Sequence, residues 1–199
     1  VAELLLKDYE LLKGSQGYIY DLITILQQIL SNTAQDVHLE MVDAYNNKNS
    51  AEFKMKSAEF LKLADLMDKV LSGSEYYLLG RWVEQAKALV QNADDFTKML
   101  YELNAKSLIT TWGSYKQCET GGLRDYSNRQ WSGLVGDFYK PRWERWITNR
   151  INELEGKPYE EKTDWFSWEW RWVRNSKLYS AEPANIDILE LSRHIIGVN

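Results

Sequence analysis

The residues best suited to chemistry lie between residues 104 and 146, where a Gly-rich, aromatic segment interrupts helical patterns on both sides. Helical periodicity runs into Trp112, stops at Gly113, and is predicted to resume at Leu123 after a pair of glycines. A loop of about 10 residues between packed helices is a common place for a binding surface. Trp112 offers a flat ring at a helix end, and Tyr126 offers a ring and a hydroxyl.

Two carboxylates, Glu119 and Asp125, lie in or beside this loop. A glycosidase needs such a pair, one as acid and the other as nucleophile or base. Most of the 29 acidic residues of a helical protein form a solvated face, however, so the sequence predicts no catalytic residue in this chain. We interpret Asp125 instead as a cap of the helix that follows.

The other reactive side chains are scattered. His38, His194 and Cys118 are far apart and show neither metal-ligand spacing nor a nucleophile-base arrangement. The glycine motifs of phosphate-binding loops and the G-x-S-x-G motif of nucleophile elbows are missing from the sequence. We therefore expect no metal ion and no cofactor.

Tryptophan is abundant, with nine residues in the chain. Aromatic side chains on helical stripes usually fill a core, because each ring covers a large apolar area. The residues favoured for the core are Trp82, Trp143, Trp165, Trp168 and Trp172. For Trp112 the pattern leaves both interpretations open, core packing or a ligand platform.

Composition excludes several classes of function. The net charge of -5 and the lack of a Lys/Arg cluster argue against nucleic acid as a partner. Apolar runs are only a few residues long, whereas a helix that crosses a bilayer needs about 18, so no membrane role is predicted. Val1 begins directly in an apolar-periodic segment without an initiator Met, so we expect a fragment whose targeting information lies upstream.

Hydrophobic periodicity predicts an all-α fold, an irregular bundle of about eight helices in a single domain that spans residues 1–199. No strand-like alternation or long repeat interrupts it. Asn49 is predicted to cap one long helix, with Glu52 bonding back to it. The predicted helices cover residues 1–13, 20–30, 33–45, 50–71, 76–92, 95–112, 123–140, 141–155 and 163–175, the seventh and eighth being separate or one kinked helix, and the tail is predicted to be irregular.

Four motifs in fixed order resemble one protein family. They are LLGRWVEQA at 78–86, NAKSLITTWG at 104–113, DYSNRQWSGL at 125–134 and YKPRW at 139–143. Together they resemble the C-terminal helical domain of the α-N-acetylglucosaminidases, glycoside hydrolase family 89. The resemblance covers nearly the whole chain, and four ordered motifs are far more specific than any one of them.

The resemblance implies a retaining hydrolase that removes terminal α-linked N-acetylglucosamine from glycans of the heparan sulfate or mucin type. The family's two catalytic glutamates belong to a preceding (β/α)8 barrel, which lies upstream of this chain. The helical domain then packs beside the barrel and forms one wall of the sugar pocket through Trp112, Leu123 and Tyr126. A secreted, periplasmic or lysosomal location is also implied.

Two further expectations follow. Lys106 stands where the family commonly has Arg, so a bidentate contact at this position is in question. A domain that packs on a barrel should also expose an apolar patch of more than a few hundred Å². The alternative is a stand-alone helical module that binds a glycan or a protein.

Overall fold

The structure is a computed structural model, and it describes residues 1–197. These residues contain ten α-helices and no β-strand, which confirms the all-α class with more helices than the predicted eight. Residues 198 and 199 of the predicted domain lie outside the described residues. The helices are α1 Ala2–Lys7, α2 Tyr9–Leu12, α3 Gln16–Asn46, α4 Ser50–Leu71, α5 Leu79–Ala88, α6 Asp95–Leu108, α7 Tyr115–Glu119, α8 Lys140–Leu154, α9 Trp165–Val173 and α10 Ile188–Ile196.

The long helices α3 and α4 form the framework of the domain and pack against each other. The two helices predicted for residues 20–30 and 33–45 are one helix, because Ser31 and Asn32 do not break the pattern of buried residues from Leu30 through Val37. The predicted cap of α4 is confirmed: the Asn49 side chain accepts from the Glu52 N–H at 3.2 Å and donates to the Glu52 carboxylate at 2.8 Å.

The N-terminal segment was predicted as one helix, which is wrong. Asp8 leaves helical geometry and separates α1 from α2. The hydroxyl of Tyr18 donates to the Leu5 carbonyl at 2.8 Å, so the end of α1 is bonded to α3 and not to a continuing helix.

The helix predicted from residue 76 begins later and ends earlier. A 3₁₀ segment, Glu75–Tyr77, and an extended residue, Leu78, precede α5. Leu78 forms an isolated parallel bridge with Ser132, in which the Leu79 N–H donates to the Ser132 carbonyl at 3.1 Å. This bridge ties the start of α5 to the segment that leads into α8.

The irregular tail that the sequence predicted contains α10. Asp187 caps this helix by accepting from the Glu190 N–H at 2.9 Å, and Gly197 ends it in the left-handed region. Ile188 and Leu191 are buried against α3 and α4.

Buried side chains form three clusters. The second cluster joins α5, the end of α6, the segment directly before α8, and α9. Trp172 is buried in this second cluster, and Trp82 and Trp168 pack against it, as the sequence predicted. Trp143 packs against the third cluster. Trp165 is only half-buried, contacts Trp168 edge to face, and borders a cavity of about 420 Å³.

Candidate functional site

The helix predicted over residues 95–112 ends earlier, at Leu108, and Trp112 lies four residues beyond this end of α6. Asp94 caps the start of this helix, accepting from the Thr97 N–H at 2.8 Å. At the other end, Trp112 has φ of 63° and its N–H donates to the Ser107 carbonyl at 2.7 Å, which closes the helix. A left-handed conformation is unfavourable for a bulky residue and persists only where the surroundings impose it. The surroundings of Trp112 therefore hold its backbone in this conformation.

The loop predicted after Gly113 contains a short helix, α7, and a turn. The prediction that helical periodicity resumes at Leu123 is wrong. Residues 123–126 form a turn, and helical structure returns only with a π-helical turn at Val135–Tyr139. The glycine pair includes Gly122 at φ of 70°, which reverses the chain after α7.

The turn is bonded to the end of α6. Asp125 has φ of 58°, and its N–H donates to the carbonyl of Thr110 at 2.8 Å. Thr110 is fully enclosed in the protein, so the turn is attached to a fixed part of α6's end. This bond holds the loop across from Trp112.

The structure brings Trp112 and Tyr126 together. Their ring centroids are 5.4 Å apart with an interplanar angle of 65°, an edge-to-face contact. Tyr126 is 70% exposed and Trp112 is half-buried. Leu123, the third predicted residue, is half-buried in the same turn, and its carbonyl accepts from the Tyr126 N–H at 3.1 Å. The three residues thus belong to one edge of the domain, which we call the aromatic lip.

The two carboxylates of the loop are bound to arginines. Arg124 pairs with Glu119, and Arg142 Nη2 donates to Asp125 Oδ2 at 2.7 Å. The expectation that Asp125 caps the following helix is wrong, because no helix begins directly after it and its carboxylate accepts from the Arg142 side chain of α8. Carboxylates neutralised in this way serve to hold the loop.

Both arginines also bind Glu169, a residue of α9 that is 0% exposed. Arg142 Nη1 donates to Glu169 Oε1 and Arg124 Nε donates to Oε2, each at 2.9 Å. Burial lowers the pKa of Arg124, but its bonds with Glu169 outweigh this effect, so the pKa lies above the ordinary value. The Cys118 thiol is 4.0 Å from Glu169 Oε2, and burial raises the pKa of this thiol.

Sequence reasoning missed Glu169 and Arg142 as partners. Glu169 lies between Trp168 and Trp170 on a helix that consists mainly of aromatic residues. A single carboxylate within an aromatic stretch was the available signal, but its partners are 27 and 45 residues away in the chain. Only tertiary structure identifies them.

Lys106 lies inside the protein, 0% exposed, and does not face the lip. Its ammonium donates to the Asn175 carbonyl and pairs with Glu102, each at 2.6 Å. It also lies 5.6 Å from the centroids of the Trp172 and Tyr179 rings. The Lys106 ammonium has one partner on α6 and another after α9. It therefore joins these two segments although it lacks the planar guanidinium group of Arg.

The remaining reactive side chains have structural surroundings. His38 contacts the Trp143 ring edge to face at 5.5 Å, and His194 is exposed in the last turn of α10. Within residues 1–197, no group of three or more His, Cys, Asp or Glu side chains is arranged to hold a metal ion. Over the same residues, no helix combines the length and hydrophobicity needed to cross a bilayer.

Comparison with known proteins adds the following findings. A profile of the α-N-acetylglucosaminidase (NAGLU) C-terminal domain matches residues 1–197. Human α-N-acetylglucosaminidase is 29% identical over an alignment of 199 residues. The match covers 96% of this chain and 25% of the human protein.

Two solved structures of a bacterial protein are also similar. A family 89 glycoside hydrolase from Clostridium perfringens, in complex with 2-acetamido-1,2-dideoxynojirmycin, is 42% identical with a TM-score of 0.94, over 98% of this chain and 23% of that one. CpGH89 from the same organism, in complex with its substrate GlcNAc-α-1,4-galactose, gives the same identity, TM-score and coverage.

The chain spans about a quarter of the length of these relatives. The profile match extends over every described residue, and the ordered motifs at 78–86, 104–113, 125–134 and 139–143 lie within it. The chain belongs to the C-terminal domain family of the family 89 α-N-acetylglucosaminidases.

Proposed function

We propose that this chain is the C-terminal helical domain of a retaining hydrolase that removes terminal α-linked N-acetylglucosamine from glycans. The two catalytic glutamates belong to a (β/α)8 domain upstream in the same protein, and this domain is not catalytic by itself. The family membership supports this assignment. The relatives are about four times as long as the chain, which leaves room for an upstream catalytic domain. The glycan at the CpGH89 site, GlcNAc-α-1,4-galactose, carries the sugar that we assign.

We assign Trp112, Leu123 and Tyr126 to one wall of the sugar pocket. The observation that carries this assignment is the edge-to-face pair of Trp112 and Tyr126 on an exposed edge. Ring faces bind the apolar face of a sugar, and a phenol can bind one hydroxyl, so the lip positions an acetamido sugar without transferring a proton. The acidic residues nearby are held by arginines and take no part in proton transfer.

Steady-state kinetics of the full-length protein with an aryl α-N-acetylglucosaminide test this function. Tyr126→Ala should lower kcat/KM by about tenfold, because a pocket contact of one ring is removed. Tyr76→Ala is the matched control, since Tyr76 is also an exposed tyrosine but lies in the 3₁₀ segment before α5. Equal kcat/KM for Tyr126→Ala and the unsubstituted protein would remove Tyr126 from the pocket.

The same assay on the 199-residue chain separates a wall domain from an independent enzyme. We expect no hydrolysis by this chain, because its carboxylates at the loop are paired with arginines and the catalytic glutamates lie upstream. Turnover by the chain alone would contradict the assignment, and tight binding of N-acetylglucosamine by it would favour a stand-alone glycan-binding module.

A further inference from the structure

Glu169 is a buried carboxylate with two occupied oxygens. It is 0% exposed, and each oxygen accepts from a different arginine at 2.9 Å. Burying a carboxylate costs free energy unless it is paired and hydrogen-bonded. Breaking either bond would leave the buried charge uncompensated, so each arginine is held firmly in place. Glu169 therefore fixes two guanidinium groups at defined positions beneath the lip.

The two arginines continue to the lip by separate routes. Arg124 is itself a residue of the turn, directly after Leu123. Arg142 lies on α8 and donates to Asp125 Oδ2 at 2.7 Å. Asp125 directly precedes Tyr126 in the turn. Glu169 is thus connected to both central residues of the turn whose outer residues are assigned to the sugar.

The turn needs this support because its backbone is strained. Asp125 has φ of 58°, a conformation that ordinary residues adopt only when their surroundings impose it. Its carboxylate is bound to Arg142 and its N–H to Thr110, so constraints act on it from both sides. Releasing the side-chain constraint would allow the turn to relax and Tyr126 to move relative to Trp112.

We propose that Glu169 is a positioning residue, which acts through Arg124 and Arg142 to hold Tyr126 at the distance from Trp112 that the sugar requires. This proposal rests on the assignment of the lip to the sugar pocket. A displacement of about 1 Å in a positioning group can lower a rate by up to a hundredfold, so the network matters for turnover as well as for folding.

The test is a double-mutant cycle on kcat/KM in the full-length protein. Glu169→Gln keeps the shape of the side chain, but its amide NH₂ cannot accept from an arginine, so one arm of the network is released. We expect kcat/KM to fall by about fivefold to tenfold, up to the loss that Tyr126→Ala itself causes. In a Tyr126→Ala background we expect the same substitution to have at most a twofold effect, because the ring that it positions is gone.

The control is Glu160→Gln. Glu160 also accepts from an arginine, Arg145 Nη2 at 3.0 Å, but it is exposed and its hydrogen bonds are to residues of α8 and not to the turn. We expect its kcat/KM to be unchanged in both backgrounds. An equal fall for Glu169→Gln in both backgrounds would show a structural role and overturn the proposal, as would no fall in either.

A second variant applies if Glu169→Gln does not fold, as judged by the loss of its thermal unfolding transition. Arg142→Lys keeps the charge but cannot bond to Glu169 and Asp125 through separate nitrogens of a planar fork. The same cycle with Tyr126→Ala then decides, with the same expected non-additivity. If Tyr126→Ala itself leaves kcat/KM unchanged, the pocket assignment fails and the positioning role fails with it. If Tyr126→Ala lowers kcat/KM and the cycle is additive, only the positioning role fails.

Discussion

The residues of the lip and the charged residues beneath it differ in how far the sequence could identify them. Trp112 and Tyr126 lie within two of the ordered motifs and Leu123 lies just before the second of these, and the structure places all three on one edge of the domain. Glu169 and Arg142 could not be identified, because charge pairing across 27 residues leaves no local pattern. The sequence also left in question whether Lys106 can replace the family's Arg in a bidentate contact. In the structure its ammonium bonds instead to partners on α6 and after α9.

Asp137 gives a prediction for the dependence of stability on pH. Burial raises the pKa of its carboxyl, but hydrogen bonds from Lys177, Tyr179 and Trp172 outweigh burial and leave the pKa below its ordinary 3.8. A depressed folded-state pKa contributes stability that is present above the unfolded value and is lost as the pH falls through the folded value. The free energy of unfolding should therefore decline below about pH 4.

Chemical denaturation between pH 2 and 6 would measure this dependence. Asp137→Asn should lower the free energy of unfolding at pH 6 and flatten the acid limb of the profile, because its side chain does not titrate. A profile for Asp137→Asn that runs parallel to that of the unsubstituted protein would contradict the role of this carboxyl.

At the scale of elements, the sequence predicted the all-α class, the start of α4 through its cap at Asn49, and the start of α6 at residue 95. The sequence predicted two helices in place of α3, because the apolar pattern weakens after Leu30. Packing against α4 stabilises a single continuous helix there. The sequence prediction missed α10, whose Asp187 cap and Gly197 end were both present in the sequence. It also missed α7, since five residues are too few for a periodic pattern.

The LLGRW motif contains a glycine that the packing of α5 explains. A Cβ atom at Gly80 would lie 2.2 Å from the Ser180 carbonyl oxygen and 2.4 Å from that of Tyr179. Because both neighbours are backbone atoms, α5 and the tail would have to separate to admit a methyl group. We expect Gly80→Ala to lower the free energy of unfolding by about 2 kcal/mol.

Gly14→Ala is the matched control for this prediction, because a Cβ atom at Gly14 meets no heavy atom within 4 Å. We expect its effect to stay within about 0.5 kcal/mol. Thermal or denaturant unfolding compares the two variants directly. Equal stability of both would show that α5 and the tail are not held in close contact.

At the scale of the whole molecule, the predicted apolar patch stays a prediction. Phe96, Met99 and Leu100 are exposed at i, i+3 and i+4 on α6, so they share one face of the helix that ends at the lip. On the proposed function, α6 leads to the sugar pocket, so this helix would lie near the domain that holds the catalytic glutamates. We expect this face of α6 to be covered in the full-length protein.

Oxidation of methionine by peroxide, read by mass spectrometry, tests this coverage. Met99 is 49% exposed and Met55, on α4, is 60% exposed, so both should oxidise readily in the 199-residue chain. In the full-length protein Met99 should be protected while Met55 remains reactive. Equal oxidation of Met99 in both proteins would place the neighbouring domain elsewhere.

The assignment of the lip to the sugar pocket is tested most directly by the dissociation constant for 2-acetamido-1,2-dideoxynojirmycin, measured by calorimetry on the full-length protein. This compound is the one bound in the similar Clostridium perfringens hydrolase. We expect Trp112→Ala to raise the dissociation constant by about tenfold while the thermal unfolding transition is retained. An unchanged dissociation constant in a folded Trp112→Ala protein would contradict the central claim.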